Sequence, residues 1–141
     1  MKKWIGAAGL CVNEKNQLLM VLQGKPEEQK KWSVPSGGLE AGETIAHCCE
    51  REMFEETGYI VDVMESVKVK HDFDPITNVE VEVQYFRTVL IGGQPTIQDP
   101  DHLIHDISWK SEEELKSLAL SFPEDRNFLI DYVRSEKHVQ S

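Results

Sequence analysis

A glycine-rich segment that leads directly into an acidic helix constrains the fold of this chain more than any other feature. Residues 36–43 include three glycines, a composition too rich in glycine for regular structure. Residues 44–57 contain no glycine or proline, and Ile45, Cys49 and Met53 recur at every fourth position. This spacing predicts a helix with one apolar stripe, and the glycine that follows is typical of a helix C-terminus.

The flanking sequence predicts strands on both sides of this helix. Apolar and polar residues alternate in several stretches separated by turn-forming residues. The predicted strands are residues 4–12, 17–23, 60–69, 79–91 and 107–109, with a turn at 92–95 and a loop over 98–106. Ser111 and Glu114 fit a capping box that begins a helix. A last helix is predicted over 124–134, with a frayed tail from about 136. Strands interleaved with helices predict an α/β (α+β) protein, a mixed sheet packed by helices.

Length and charge narrow the class of protein. The 141 residues predict one domain over 1–141. A formal net charge of −10 disfavours binding to nucleic acid or to anionic lipid, since both are themselves negative. The apolar start is interrupted by Gly6 and Gly9, so we interpret it as a first strand, not a signal peptide, and expect a cytoplasmic protein. The three cysteines lack the CxxC spacing, which predicts neither a disulfide framework nor a zinc site.

Carboxylates crowd one face of the predicted helix. Glu52 and Glu56 project about 40° apart, and Glu52 and Glu55 about 60° apart, on a helix of roughly 3.6 residues per turn. The three carboxylates therefore share a narrow arc, and the apolar stripe lies beside that arc. Packing the stripe on a sheet would bring the carboxylates to the sheet edge.

Such crowding requires a counter-charge, because like charges one turn apart destabilise a helix. Arg51 is the one basic residue between Gly37 and Gly58, and we expect it to neutralise only one carboxylate, such as Glu55. A divalent cation can offset the rest, and a site made only of hard oxygen ligands favours Mg²⁺ or Mn²⁺. The alternative is a solvated acidic helix face, but the adjoining apolar stripe and glycine-rich segment favour the metal site.

Residues 37–59 resemble the Nudix box, whose pattern is G-x5-E-x7-R-E-U-x-E-E-x-G-U with U a bulky apolar residue. All seven fixed positions of that pattern are present. They are Gly37, Glu43, Arg51, Glu52, Glu55, Glu56 and Gly58. Ser36 stands where the family usually has another glycine. The resemblance implies a Nudix hydrolase with the α/β/α sandwich fold.

The same resemblance implies roles for individual residues. Metal ligands for Mg²⁺ or Mn²⁺ would be the carboxylates of Glu52, Glu55 and Glu56, the backbone carbonyl of Ser36, and Glu40 through water. Arg51 would orient these glutamates and complete the catalytic set. Three further residues would be structural: Gly37, Glu43 and Gly58. The general base would be Glu52, with His102, in the loop beyond the box, as the alternative.

The resemblance also implies an activity, the hydrolysis of a diphosphate bond in a nucleoside diphosphate linked to another moiety, such as an NTP or ADP-ribose. The expected partner is this small molecule, with no nucleic acid and no membrane, and a homodimer is left open. Two alternatives are a non-catalytic Nudix domain that binds a nucleotide and regulates a partner, and hydrolysis of an RNA 5′ end, which the acidity disfavours. Aromatic residues that can stack on a base are Trp4, Phe73, Tyr85, Phe86 and Trp109, although most aromatic residues in strands belong to the core.

Overall fold

The computed structural model describes residues 2–98 and 103–140. Seven strands surround the acidic helix in the chain. The strands are β1 (Lys2–Cys11), β2 (Leu18–Gln23), β3 (Lys31–Ser33), β4 (Ser36–Gly38), β5 (Tyr59–Asp74), β6 (Val79–Gly93) and β7 (Ile104–Lys110). The helices are α1 (Ile45–Thr57), α2 (Glu112–Leu115) and α3 (Arg126–Gln140), with a 3₁₀ turn at Pro123–Asp125.

The strands form two sheets. A four-stranded mixed sheet has the order β4-β1-β6-β5, in which β1 runs parallel to β6 and the other neighbours are antiparallel. A three-stranded antiparallel sheet has the order β3-β2-β7. The prediction of a mixed sheet is confirmed for the first of these.

Side chains of β1 alternate between two buried clusters, because successive residues of a strand point to opposite faces. Ala7 and Cys11 pack with Met53 of α1 in one cluster. Ala8 and Leu10 pack in the other cluster with residues of α3 such as Val133. Helices therefore cover both faces of the β layer, and the predicted α/β/α sandwich is confirmed. No helix in the described part of the chain is long and apolar enough to cross a membrane.

Several predicted boundaries were wrong. Residues 36–38 form β4, although this segment is rich in glycine, because they pair with Gly6, Ala7 and Ala8 of β1. The turn at 92–95 was also wrong in part, since Gly92 and Gly93 pair with the first residues of β5. β7 begins at residue 104, inside the predicted loop, and α3 begins at Arg126 and continues to Gln140, past the predicted end at 134. The frayed tail from about 136 stays a prediction.

Candidate active site

Local signals at both ends hold α1 in place. The Thr44 side chain accepts a hydrogen bond from the His47 N–H at 3.1 Å, so Thr44 caps the N-terminus. Gly58 has a φ of 79°, a left-handed conformation that favours glycine, and its N–H donates to the Phe54 carbonyl at 2.8 Å. Both ends agree with the predicted helix. Because these caps define where α1 begins and ends, they also determine the direction in which its glutamate side chains project.

The backbone of β4 lies directly against the carboxylates of α1. A Cβ atom on Gly37 would lie 2.1 Å from Cδ of Glu52, so no side chain fits there while Glu52 holds its position. The Ser36 N–H donates to Glu56 Oε1 at 3.1 Å. Glu52 and Glu56 are therefore brought together at one sheet edge, as the helix geometry predicts.

Arg51 contacts more carboxylates than the sequence predicts. Its Nε and Nη2 donate to the two oxygens of Glu43 at 2.6 and 2.9 Å, a bidentate pair. Its Nη1 donates to Glu52 at 2.7 Å and to Glu55 at 3.2 Å, while Nη2 also reaches the Gly38 carbonyl at 2.9 Å. The planar guanidinium can make these contacts because it presents five donors in a fork, but its single positive charge offsets only one negative charge.

Burial and pairing change the electrostatics of this group. The Arg51 hydrogen bonds lower the pKa of Glu43 from 4.5 to about 2. The same hydrogen bonds raise the pKa of Arg51, so its charge is permanent. Burial raises the pKa of Glu52, and the pairing with Arg51 opposes this shift only in part. Glu52 is therefore a largely buried carboxylate, 14% exposed, that a further positive charge would stabilise.

The remaining predicted ligands are more open to solvent. The side chains of Glu55 and Glu40 are 51% and 68% exposed, and Glu40 lies 3.6 Å from Arg51 Nη1. Among the residues that the structure describes, no three His, Cys, Asp or Glu side chains form a group that could hold a metal ion. The donors at this edge are all oxygens, which suits Mg²⁺ or Mn²⁺, but the metal site itself stays a prediction.

The alternative general base is not placed by the structure. His102 lies outside the described residues. His105, three residues further along the chain, has its Nε2 3.0 Å from the Gly24 carbonyl. Glu52 is thus the candidate base that the structure brings to the β4 edge.

A cavity of about 140 Å³ lies between the two sheets, beside β4. Ser36 lines it, and a Cβ on Gly38 would lie 3.1 Å from Nε1 of Trp4, which also lines it. Since alternate strand residues point to opposite faces, β4 separates Glu52 on one side from this cavity on the other. A bound water occupies about 10–15 Å³ by the same measure, so the cavity can hold a ligand group much larger than one water.

The walls of the cavity are mostly aromatic and aliphatic. Trp4 and Val81 are paired in register on one sheet, and Trp32 comes from β3 of the other. Of the aromatic residues singled out in the sequence, Trp4 and Tyr85 line this cavity. Three others do not line it: Phe86 and Trp109 pack in the α1 cluster and Phe73 is 45% exposed. Lining residues that the sequence did not reveal include Lys70, Asp72, Phe122 and Asp125.

Comparisons with known proteins identify the family. A family model described as the NUDIX domain matches residues 2–132. The chain belongs to the NUDIX family. A Mycobacterium tuberculosis protein, provisionally named 8-oxo-dGTP diphosphatase 2, is 27% identical over 143 residues, covering 96% of this chain and 92% of the relative. The predictions of a Nudix member and of a hydrolase are confirmed.

The Nudix fold is equally clear from solved structures. A NUDIX hydrolase from Nitrosomonas europaea superposes with a TM-score of 0.78 at 21% identity, covering 98% of this chain and 90% of that one. The MutT protein from Methanosarcina mazei Go1 gives a TM-score of 0.73 at 19% identity and 96% coverage of both chains.

A shorter sequence match covers only part of this chain. An 8-oxo-dGDP phosphatase of Mus musculus is 34% identical over 59 residues, 42% of this chain, and the chain spans only 18% of that protein.

Proposed function

We propose that this Nudix protein is a divalent-metal-dependent hydrolase that cleaves the diphosphate bond of a nucleoside diphosphate linked to another moiety. The observation that carries the proposal is the Arg51 network, meaning Arg51 with Glu40, Glu43, Glu52 and Glu55, held against β4. Two relatives, from Mycobacterium tuberculosis and Mus musculus, are named for action on 8-oxo-dGTP and 8-oxo-dGDP. Both names describe nucleoside phosphate anhydrides, which supports this substrate class.

The donors at the β4 edge are all oxygens, the ligand type that a hard cation prefers. Glu52, Glu55 and Glu56 would hold Mg²⁺ or Mn²⁺, with the Ser36 carbonyl and Glu40 as further ligands. When bound, such a cation neutralises charge on the phosphate oxygens and polarises the phosphorus. An anionic diphosphate would otherwise be repelled by these carboxylates.

The chain's own residues position the reaction. Arg51 keeps Glu52 in place, because its Nη1 donates a hydrogen bond to Glu52 Oε1. Glu52 would serve either as a metal ligand or as the general base, and in the second role it takes the proton of the attacking water. In hydrolysis the water oxygen bonds to phosphorus, the anhydride P–O bond breaks, and the proton released by the water goes to that carboxylate. Glu43 holds the other side of the guanidinium, so it acts as a positioning residue.

A substrate panel with paired variants tests this proposal. NTPs, ADP-ribose, dinucleoside polyphosphates and NADH are incubated with Mg²⁺, and release of phosphate, pyrophosphate or mononucleotide is measured. We expect Glu56→Gln to abolish turnover while the thermal unfolding transition persists, because its carboxylate is lost from the β4 edge. Glu50→Gln, at an exposed position on the same helix, is the matched control and should retain activity.

The outcomes separate the candidate functions. Retained turnover in Glu56→Gln would contradict the ligand assignment. Nucleotide binding without any Mg²⁺-dependent turnover would favour the regulatory domain. A cytoplasmic location and a homodimer stay predictions from the sequence.

A further inference from the structure

One basic side chain, Lys70, lies in the wall of the cavity beside β4. Its side chain is 16% exposed, and its Nζ lies 4.6 Å from the centroid of the Phe122 ring, another lining residue. Lys70 pairs with Val83 in the register of β5 and β6, and Val83 lines the same cavity. The ammonium is therefore part of the cavity wall and not a solvated surface charge.

Two carboxylates hold this ammonium in position. Lys70 Nζ donates to Glu124 Oε2 at 2.7 Å and to Asp125 Oδ1 at 3.1 Å. Asp125 is 4% exposed, and its other oxygen accepts from the Tyr85 hydroxyl at 2.6 Å. Both oxygens of Asp125 are thus engaged, so the carboxylate cannot rotate away without losing a buried hydrogen bond.

The pairing also determines the charge of Lys70 and the number of its N–H donors that remain available. Burial acts to lower its pKa, but the hydrogen bonds to Glu124 and Asp125 outweigh burial and raise the pKa. Lys70 is therefore an ammonium at neutral pH, with three N–H donors. Two of them are used by the carboxylates, which leaves one donor at the cavity wall.

The charge balance shows what kind of acceptor suits that donor. Lys68 and Lys70 carry two positive charges, and Glu124 and Asp125, with which they pair, carry two negative charges. Asp72, which also lines the cavity, adds a further negative charge, so a phosphate gains little from this cluster. An uncharged acceptor, such as a ring carbonyl, can take the hydrogen bond without adding a negative charge, and the aromatic walls suit a planar ring.

We propose that Lys70 is a specificity-determining residue that selects substrates whose aromatic ring carries a carbonyl group, by donating its third N–H to the carbonyl oxygen. This rests on the proposed function and on the position of the cavity beside β4. A diphosphate held on the Glu52 side of this edge strand would extend its nucleoside part past β4 into the cavity. Oxopurine and oxopyrimidine nucleotides are the matching chemical class.

A binding experiment tests the role of Lys70 without turnover. Inosine 5′-monophosphate and adenosine 5′-monophosphate carry a carbonyl or an amino group at the same ring position, and neither contains an anhydride bond. Titration calorimetry on the full chain should show inosine monophosphate binding about tenfold more tightly, the effect of one hydrogen bond to a charged group. Lys70→Met should bring the ratio of the two dissociation constants close to one, with most of the loss on inosine monophosphate.

Matched variants separate recognition from structural support. Lys68→Met also removes an ammonium that pairs with Asp125, at 3.6 Å, but Lys68 does not line the cavity, so the ratio should stay at its wild-type value. Lys70→Arg keeps a charged donor and should keep the preference for inosine monophosphate. If Lys70→Met fails to fold, the wild-type ratio and the Lys70→Arg ratio still decide the matter.

Three results would overturn the inference. The first is a wild-type protein that binds the two monophosphates equally well, or binds neither at millimolar concentration. The second is a Lys70→Met variant that keeps the preference. The third is a Lys70→Met variant in which the affinities for both monophosphates fall by the same factor. Failure of the proposed function is distinguishable, because it would appear as an absence of Mg²⁺-dependent hydrolysis in the panel while the calorimetric preference persists. Hydrolysis abolished by Glu56→Gln together with no preference would refute only the role of Lys70.

Discussion

Replacing Gly37 by alanine should inactivate the protein while leaving it folded. Gly37 does not have a positive φ, so alanine imposes no backbone strain there. The added Cβ would lie 2.1 Å from Cδ of Glu52 and 2.2 and 2.4 Å from its two oxygens. Since these atoms belong to the end of a flexible side chain, the carboxylate moves and the strand stays.

The distances give the size of both effects. Ordinary contact begins at 3.4 Å, so the Glu52 carboxylate must retreat by roughly 1.3 Å from Gly37. A displacement of about 1 Å in a catalytic group lowers the rate about 100-fold, and we expect that loss in kcat/KM. The free energy of unfolding should fall by only about 1 kcal/mol, the cost of a strained rotamer, because Arg51 retains its other partners.

Steady-state kinetics with Mg²⁺ and urea unfolding measure the two effects separately. Gly92→Ala is the matched control, since Gly92 is also a strand glycine without a positive φ and nothing lies within 4 Å of its added Cβ. The control should match the wild type in both measurements. If Gly37→Ala kept kcat/KM within about threefold of wild type, or lost activity only by unfolding, the placement of Glu52 against β4 would have no functional meaning.

Three further expectations concern the Arg51 network and the cysteines. Because the pKa of Glu43 is about 2 when folded and 4.5 ordinarily, its pairing stabilises the protein above pH 4.5, and this stability is lost as the pH falls towards 2. Glu43→Gln should therefore flatten the pH dependence of the unfolding free energy in that range, and an unchanged slope would contradict the pairing. Arg51→Lys should lower the unfolding free energy by about 2 kcal/mol in urea titrations, since an ammonium cannot replace the bidentate contact. Burial raises the pKa of the Cys11, Cys48 and Cys49 thiols to about 11, 11 and 12, so a disulfide reagent at pH 8 should react much more slowly with the folded than with the urea-unfolded protein, and equal rates would refute their burial.

The acidic helix could be predicted from the sequence because its signals are local. The apolar stripe and the terminal glycine lie within one stretch of chain. The capping box of Ser111 and Glu114 is confirmed for the same reason, since both of its hydrogen bonds join residues three positions apart. Such features depend on helix geometry alone and not on distant partners.

The features that sequence reasoning missed depend on long-range pairing. The glycines in 36–38 predict an irregular loop, but Gly37 and Gly38 instead allow close contact with Glu52 and Trp4. Lys70 and Asp125 are 55 positions apart, and only the register of β5 and the position of the C-terminal segment bring them together. Residue types could not show this, because a lysine in an alternating strand is usually solvated.

Strand β4 lies between the carboxylates of α1 and the cavity, so a change that moves β4 affects both. β4 is only three residues long, yet Gly37 touches Glu52 on one side while Ser36 and Gly38 face the cavity with Trp4. Its position is set by pairing with Gly6, Ala7 and Ala8 of β1. A Cβ on Gly6 would lie 2.5 Å from the Trp4 ring and 2.6 Å from the Gly37 carbonyl oxygen, so it would displace β4 as a whole. A residue that touches neither the carboxylates nor Lys70 can therefore alter ring selection and turnover together, whereas a change at Gly37 acts on turnover alone.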